Sequence, residues 1–325
     1  MNEELQASNK PLIGVSLKEF ALKYGIYIGF IGIMIAFSFM SPNFLTARNV
    51  LNVLDQYAYY VICSMGMFFV VLMGGVDLSN GSMIAFASVV GATIMVQSKS
   101  VLLGCIIIVA ISVAGGVLNG YSVAGIGIPA FIATLAFQNI LRGAAYTKTM
   151  AKAVSGIPSS LSSFNFTKIF GIRSSTAIMI AIFIILFYIL NFTGFGRRLY
   201  AVGGNARAAK VMGVKVPVMV VSAYAICGIC TSISSILLVS SMASANPSVA
   251  ENLALECIAA VIIGGASANG GEGKLSGTII GAFMFAMIKN GLNLMGLSYF
   301  HQLVVSGVII YIAVAVDRMR VRSGL

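Results

Sequence analysis

The sequence predicts an all-α fold: a polytopic helical membrane protein of about ten transmembrane helices, some broken or re-entrant. Three observations carry this. The mean hydropathy of the chain is +0.99. Hydrophobic residues make up 59% of its 325 residues and charged ones only 9%, a profile that soluble domains do not share. Apolar runs of about 20 residues recur along it, each the length of a membrane-crossing helix.

The N-terminus is polar to about Lys23 and then apolar to Met40. That stretch is long for a signal-peptide core and no small-x-small cleavage site follows, so it is expected to be kept as a first span. The ten expected spans are 20–40, 57–76, 80–97, 101–121, 128–147, 175–194, 217–243, 253–267, 276–295 and 299–316. Residues 1–19 would form a cytoplasmic segment, 20–318 the transmembrane domain and 319–325 a cytoplasmic tail. A break is expected at Gly125-Ile-Gly-Ile-Pro129. Irregular backbone at membrane depth survives only where protein or a water-filled cavity satisfies it.

The net charge of +11 would suggest nucleic acid in a soluble protein. Without aromatic-basic interleaving it reads as topogenic charge beside anionic membrane lipid, with no nucleic-acid partner. With the N-terminus inside, cytoplasmic segments collect Lys10, Lys18, Lys23, Arg197, Arg198, Arg207, Lys210, Lys215, Lys274, Arg318, Arg320 and Arg322. Outer segments collect Arg48, Lys99, Lys148, Lys152, Lys168 and Arg173. That two-to-one excess predicts a multi-pass inner-membrane protein with both termini cytoplasmic.

Residues 196–216 hold five of those cations and no acid, the mark of a cytoplasmic loop. Inside it a small helix is expected. Asn205 suits an N-cap, Ala206–Met212 are mostly good helix formers, and Gly213 supplies the stop. Ala206, Ala209 and Gly213 fall on one small-residue face, with Arg207 and Lys210 elsewhere. Such a rigid knob suits a groove on a partner. The same composition also suits a basic loop that only fixes topology.

A short internal repeat links two glycine turns. Over 22 positions five match: Gly74, Gly75, Gly81, Gly91 and Ala92 recur as Gly264, Gly265, Gly271, Gly281 and Ala282, as in chains built from duplicated halves or by the chance that a glycine-rich composition allows.

Enzyme chemistry finds little support. Gly271-Glu-Gly-Lys274-Leu275 lacks the first glycine of a P-loop, and Leu275 stands where a hydroxyl must hold magnesium. No nucleophile elbow, zinc-protease or dinucleotide motif occurs. No catalytic residue and no cofactor is expected in this chain. All five cysteines lie in apolar runs, so Cys227-Gly-Ile-Cys230 is read as packing rather than redox chemistry. His301 is the one histidine, which argues against a metal site.

Polar residues within the spans carry more meaning, because lipid makes them costly. Gln138, Asn139 and Arg142 share one side of the fifth span, and Lys289, Asn290 and Asn293 one side of the ninth. Glu251 and Glu256 flank the start of the eighth. These groups either line a polar path or brace the bundle through hydrogen bonds and ion pairs. A nearly uncharged path of Thr134, Gln138, Asn139, Asn290 and Asn293 would suit a neutral hydroxyl-rich solute. Arg142, Lys289 and Glu251, near the outer surface, are candidates for docking a soluble protein. No carboxylate is clearly mid-span, as a proton- or sodium-driven carrier would need, so energy is expected from outside the membrane domain.

Gly196-Arg-Arg-Leu-Tyr-Ala-Val-Gly-Gly-Asn205-Ala-Arg-Ala-Ala-Lys-Val-Met-Gly213-Val resembles the cytoplasmic loop of the permeases of monosaccharide ABC importers of the ribose, xylose, arabinose and galactose kind. Ile128-Pro129-Ala-Phe131-Ile-Ala-Thr134-Leu, Gly74-Gly75-Val-Asp77-Leu-Ser79-Asn-Gly81-Ser, Ile263-Gly264-Gly265-Ala-Ser267 and Asn290-Gly291-Leu-Asn293-Leu-Met-Gly296 follow the same pattern. The likeness covers about residues 20 to 318 in order. It implies a permease that pairs with a second permease subunit. It further implies a cytoplasmic ATP-binding subunit carrying ATP and magnesium, and a periplasmic or lipoprotein sugar-binding protein. It makes Asn205–Gly213, with Ala206, Arg207, Ala209, Lys210 and Met212, the coupling helix. Gly270-Gly-Glu-Gly-Lys274 and Glu256-Cys257 fit the family pattern loosely. A neutral monosaccharide, ribose first, is the expected solute. A secondary carrier and a membrane-embedded enzyme are the rival readings.

Overall fold

The computed structural model describes residues 17–169 and 171–322, with side chains from 28 to 315. The expected N-terminal segment 1–19 and tail 319–325, with Lys10, Lys18, Lys23, Arg318, Arg320 and Arg322, lie wholly or in their side chains outside the described residues.

Each of the ten expected runs lies on a helix. These are α1 (Leu17–Met40), α3 (Ala58–Leu72), α4 (Asn80–Ser98), α5 (Val101–Tyr121), α6 (Ala130–Thr149), α8 (Ser174–Phe192), α11 (Val216–Met242), α12 (Leu253–Ile263), α13 (Leu275–Leu294) and α14 (Tyr299–Arg322). Four further helices fall between them: α2 (Ala47–Gln56), α7 (Ser159–Phe166), α9 (Gly194–Gly204) and α10 (Ala206–Val211).

Ten helices are not ten simple spans. Among the described residues, five helical segments are long and apolar enough to cross a membrane: α4, α5 with its extension, α8, α11 and α13. A sixth arises if α2 and α3, bent by 52° at Tyr57, count as one. α12 has 11 residues, about 16 Å at 1.5 Å per residue, half of a bilayer core. It does not cross a bilayer core as a helix by itself. α6 is long enough, but Gln138, Asn139 and Arg142 lower its hydropathy.

The expected break is real. α5 runs into a π-helical turn at Ser122–Ile126, Gly127 takes φ +87°, and Pro129 precedes α6. Glycine permits that left-handed backbone, and proline ends the break by fixing φ at the new helix start.

α3 is the axis of the molecule. All its residues except Tyr59 are buried, against α11, α12, α13 and α8. α11 packs on α5 by small-residue contact. A Cβ on Gly116 would lie 2.4 Å from the Tyr224 carbonyl oxygen, and one on Gly228 would lie 2.5 Å from that of Ser112. In lipid, such close backbone approach is a main source of helix–helix attraction.

The repeat is matched in layout only in part. Both glycine turns follow a short helix and precede a longer one. α13 folds back on α12, where a Cβ on Gly281 would meet the Ala260 carbonyl at 2.2 Å. α4 instead packs on α5, where Gly91 makes room for Ile108.

Candidate functional site

At the C-terminal end of α3 the basic loop forms two helices, not one. Thr193 opens α9, its hydroxyl accepting from Gly196 N at 3.3 Å. The glycines at both ends of Gly194–Gly204 hide this helix in the sequence. Asn205 opens α10 as expected, its side-chain oxygen accepting from Ala208 N at 3.0 Å. Gly213, at φ +83°, closes it. Its N–H donates to the Lys210 carbonyl at 3.0 Å, and Val214 N donates to that of Ala209 at 3.0 Å.

The expected outward face is corrected by packing. Ala209 is 4% exposed and belongs to the core with Leu199, Val202 and Met219. Of the expected small face, Ala209 alone turns inward, where its small side chain lets α10 lie close on its neighbours, while Ala206 and Gly213 stay exposed. Exposed instead are Ala206, Arg207, Lys210, Val211 (90%) and Met212 (83%). Two large apolar side chains so exposed beside cations suit contact with another protein.

This unit is anchored through backbone. Gly271 N donates to the Leu72 carbonyl at 2.9 Å. A Cβ on Gly203 would lie 1.9 Å from that same Leu72 oxygen and 2.7 Å from Gly271 N. The end of α9, the end of α3 and the loop between α12 and α13 thus meet without side chains between them. The Tyr200 hydroxyl donates to the Gly273 carbonyl at 2.9 Å. Burial pushes the Tyr200 phenol up, keeping it a neutral donor.

The five expected path residues do not converge on one lining. Thr134 is fully buried on α6, its hydroxyl donating to the Ala130 carbonyl at 2.8 Å. Gln138 is half-buried and Asn139 exposed on the same helix. On α13, Asn290 is buried in a mutual amide pair with Asn49 of α2, at 2.8 and 3.2 Å. Asn293 is exposed. The amides of Asn139 and Asn293 lie on the surface of the chain; that of Asn290 holds α2.

The expected docking cations are also committed. Arg142 Nε donates to the Ser82 hydroxyl at 3.2 Å, and Nη1 donates to the carbonyls of Pro247 and Val249 at 2.6 and 2.9 Å. It ties α4, α6 and the loop before α12 together. Lys289 Nζ lies 2.6 Å from Glu256 Oε1, both side chains largely buried. Of the three expected docking residues, Glu251 alone is exposed.

Sequence reasoning missed a cleft beside α2. Arg48, Asn52, Asp55, Lys168, Arg173 and Thr176 line a space of about 240 Å³. Arg173 Nε sits 3.3 Å from Asp55 Oδ2, and Thr176 donates to Asp55 Oδ1. The strands β1 (Lys168–Ile169) and β2 (Ile172–Arg173) pair antiparallel and present Lys168 and Arg173 together. The charges were visible in the sequence; the hairpin that gathers them was not. The cleft lies by the N-terminal end of α3, opposite the α9–α10 unit.

Apolar helices of membrane-crossing length, with short buried helices packed beside them, define a multi-pass helical membrane protein. The chain belongs to the branched-chain amino acid transport system / permease component family, whose model matches residues 49–314. It is 37% identical over 300 residues to the ribose import permease protein RbsC of Bacillus subtilis (strain 168), covering 92% of this chain and 93% of that one. RbsC of Escherichia coli (strain K12) is 36% identical over 287 residues, covering 87% and 89%. The L-arabinose transport system permease protein AraH of that strain is 33% identical over 303 residues, covering 93% and 92%. No solved structure matches.

Proposed function

We propose that the chain is the membrane subunit of a binding-protein-dependent ABC importer that moves a neutral monosaccharide, ribose or a close pentose, inward. The observation that carries this is the similarity to ribose import permeases over almost the whole of both chains. Two copies would form the path, and a separate cytoplasmic subunit would hydrolyse ATP with magnesium. The α9–α10 unit is the coupling element in this reading, with Val211 and Met212 entering the ATP-binding subunit. Its exposed apolar pair and its backbone anchorage to α3 and the α12–α13 loop support that role.

The outer soluble partner would seat on the face that carries Arg48, Lys168, Arg173 and Glu251. Asn139 and Asn293 replace hydrogen bonds that the sugar loses with its water. They hold no net charge, so the solute can leave again. Both termini are cytoplasmic in this arrangement.

Reconstitution tests it. The chain, combined in proteoliposomes with an ATP-binding subunit and a sugar-binding protein of a ribose importer from the same organism, should show ATP hydrolysis stimulated by ribose. Labelled ribose should accumulate only when ATP is on the coupling-helix side. Uptake that runs on an ion gradient without ATP would overturn the proposal.

A further inference from the structure

α11 is long enough to say where its start lies. Its 27 residues extend about 40 Å at 1.5 Å per residue, more than the roughly 30 Å of a hydrocarbon core. Its N-terminal end carries Lys215 and its C-terminal end, Ser240–Ala243, carries no charge, so the excess is read at the N-terminal end. α8 ends nearby with Tyr188 and Phe192, both exposed, their rings stacked with centroids 5.7 Å apart. Aromatic residues at a helix end mark the headgroup level.

Beside the start of α11 is a cleft of about 470 Å³ bordered by Arg198, Met212, Lys215 and Val218. Arg198 Nε donates to the Gly194 carbonyl at 3.1 Å, and its Nη atoms make no hydrogen bond among the described residues. Neither Arg198 nor Lys215 enters an ion pair among the described residues. No acid occurs from 196 to 216. Val218, in the first turn of α11, is exposed beside the cleft.

We infer that this cleft binds the phosphate of an anionic glycerophospholipid, held by Arg198 and Lys215, with an acyl chain laid along Val218. Two cations without an ion-pair partner among the described residues, beside an exposed apolar side chain at the start of a membrane-length helix, match the charged and the apolar part of a lipid. A soluble phosphate would use the cations alone and leave Val218 bare. The bound lipid would fasten the turn between α10 and α11 to the bilayer surface. The inference rests on the proposed function only in taking this face as the cytoplasmic one.

Native mass spectrometry of the full-length chain tests it, with phosphatidylglycerol and phosphatidylcholine titrated in parallel. Phosphatidylglycerol should bind more tightly. R198Q/K215Q should weaken it by about 30-fold, near fivefold for each cation lost beside an anionic surface. R48Q/K168Q, at the opposite end of α3, should leave it unchanged, and K215R should retain it. Equal binding of both lipids, or full retention in R198Q/K215Q, would overturn the site. So would inorganic phosphate that competes with the lipid at equal affinity, which marks a free-anion site. Loss of ATP-binding-subunit capture by R198Q/K215Q in phosphatidylcholine alone would give the cleft to that protein instead. Lipid selectivity that persists in a chain unable to capture an ATP-binding subunit would uphold the site while the transport reading falls.

Discussion

Lys289 donates to Glu256 at 2.6 Å, joining α13 to the first turn of the short helix α12. The Tyr60 hydroxyl on α3 donates to the Glu256 carbonyl at 3.0 Å. One residue thus ties three helices where α12 begins. Breaking a buried pair costs more than removing it, because the survivor keeps its charge without a partner. Lys289→Met alone should destabilise the chain by about 3 kcal/mol. Glu256→Gln with Lys289→Met should recover most of that loss. Thermal unfolding in detergent, read as a double-mutant cycle, measures the difference.

Arg142 holds Pro247 and Val249 by their backbone carbonyls. Arg142→Gln leaves those acceptors short of a charged donor, at a cost of about 2 kcal/mol. The loop before α12 should loosen. A cysteine at Ser248 should then react faster with a polar maleimide, while binding-protein affinity keeps its salt dependence. A large change in that salt dependence would make Arg142 a docking residue after all.

On α10 the inward and outward faces should behave differently. Met212→Asp or Val211→Asp should leave folding intact and reduce capture of the ATP-binding subunit at least tenfold, since an unpaired carboxylate would be desolvated at the contact. Ala209→Asp should instead lower expression and thermal stability, because that position lies inside the chain's own core. Size-exclusion of the co-expressed subunits separates the two outcomes.

Among the asparagines, Asn139→Leu and Asn293→Leu should slow ribose uptake with assembly unchanged. Asn290→Leu should act through stability, because it strands the Asn49 amide. That last cost is about 1–3 kcal/mol, visible as a lower melting temperature. Full transport in both Asn139→Leu and Asn293→Leu would take these helices off the path.

The outer cleft carries a prediction of its own. Arg48→Glu with Lys168→Glu should weaken binding-protein association, and raised salt should narrow the gap to the unaltered chain, as expected for rim charges. Surface plasmon resonance at two ionic strengths reads this directly.

Apolar runs and caps were legible where each residue speaks for itself. The helix from Ala206 followed from Asn205 and Gly213, and the break from Gly127 and Pro129. α9 was not legible, since Gly194, Gly196, Gly203 and Gly204 argue for a loop until the backbone they pack against is known. The inward turn of Ala209 could not be seen either. Periodicity places residues on one face but does not say which way that face points. Polar residues within spans posed the same choice between path and brace. For Asn290, Lys289 and Arg142 the structure shows bracing partners, which lie 33 to 241 positions away in the chain.

Gly203, Leu72 and Gly271 touch main chain to main chain. Side chains absorb displacement by turning about their χ angles; peptide planes do not, being stiff about ω. At this joint no side chain stands between the packed main chains that could turn. In the proposed coupling role, a force on Val211 and Met212 would pass from α9 to α3 and the α12–α13 loop through that contact. Packed backbone is in this sense a gear without slack, and a single added methyl at Gly203 would jam it.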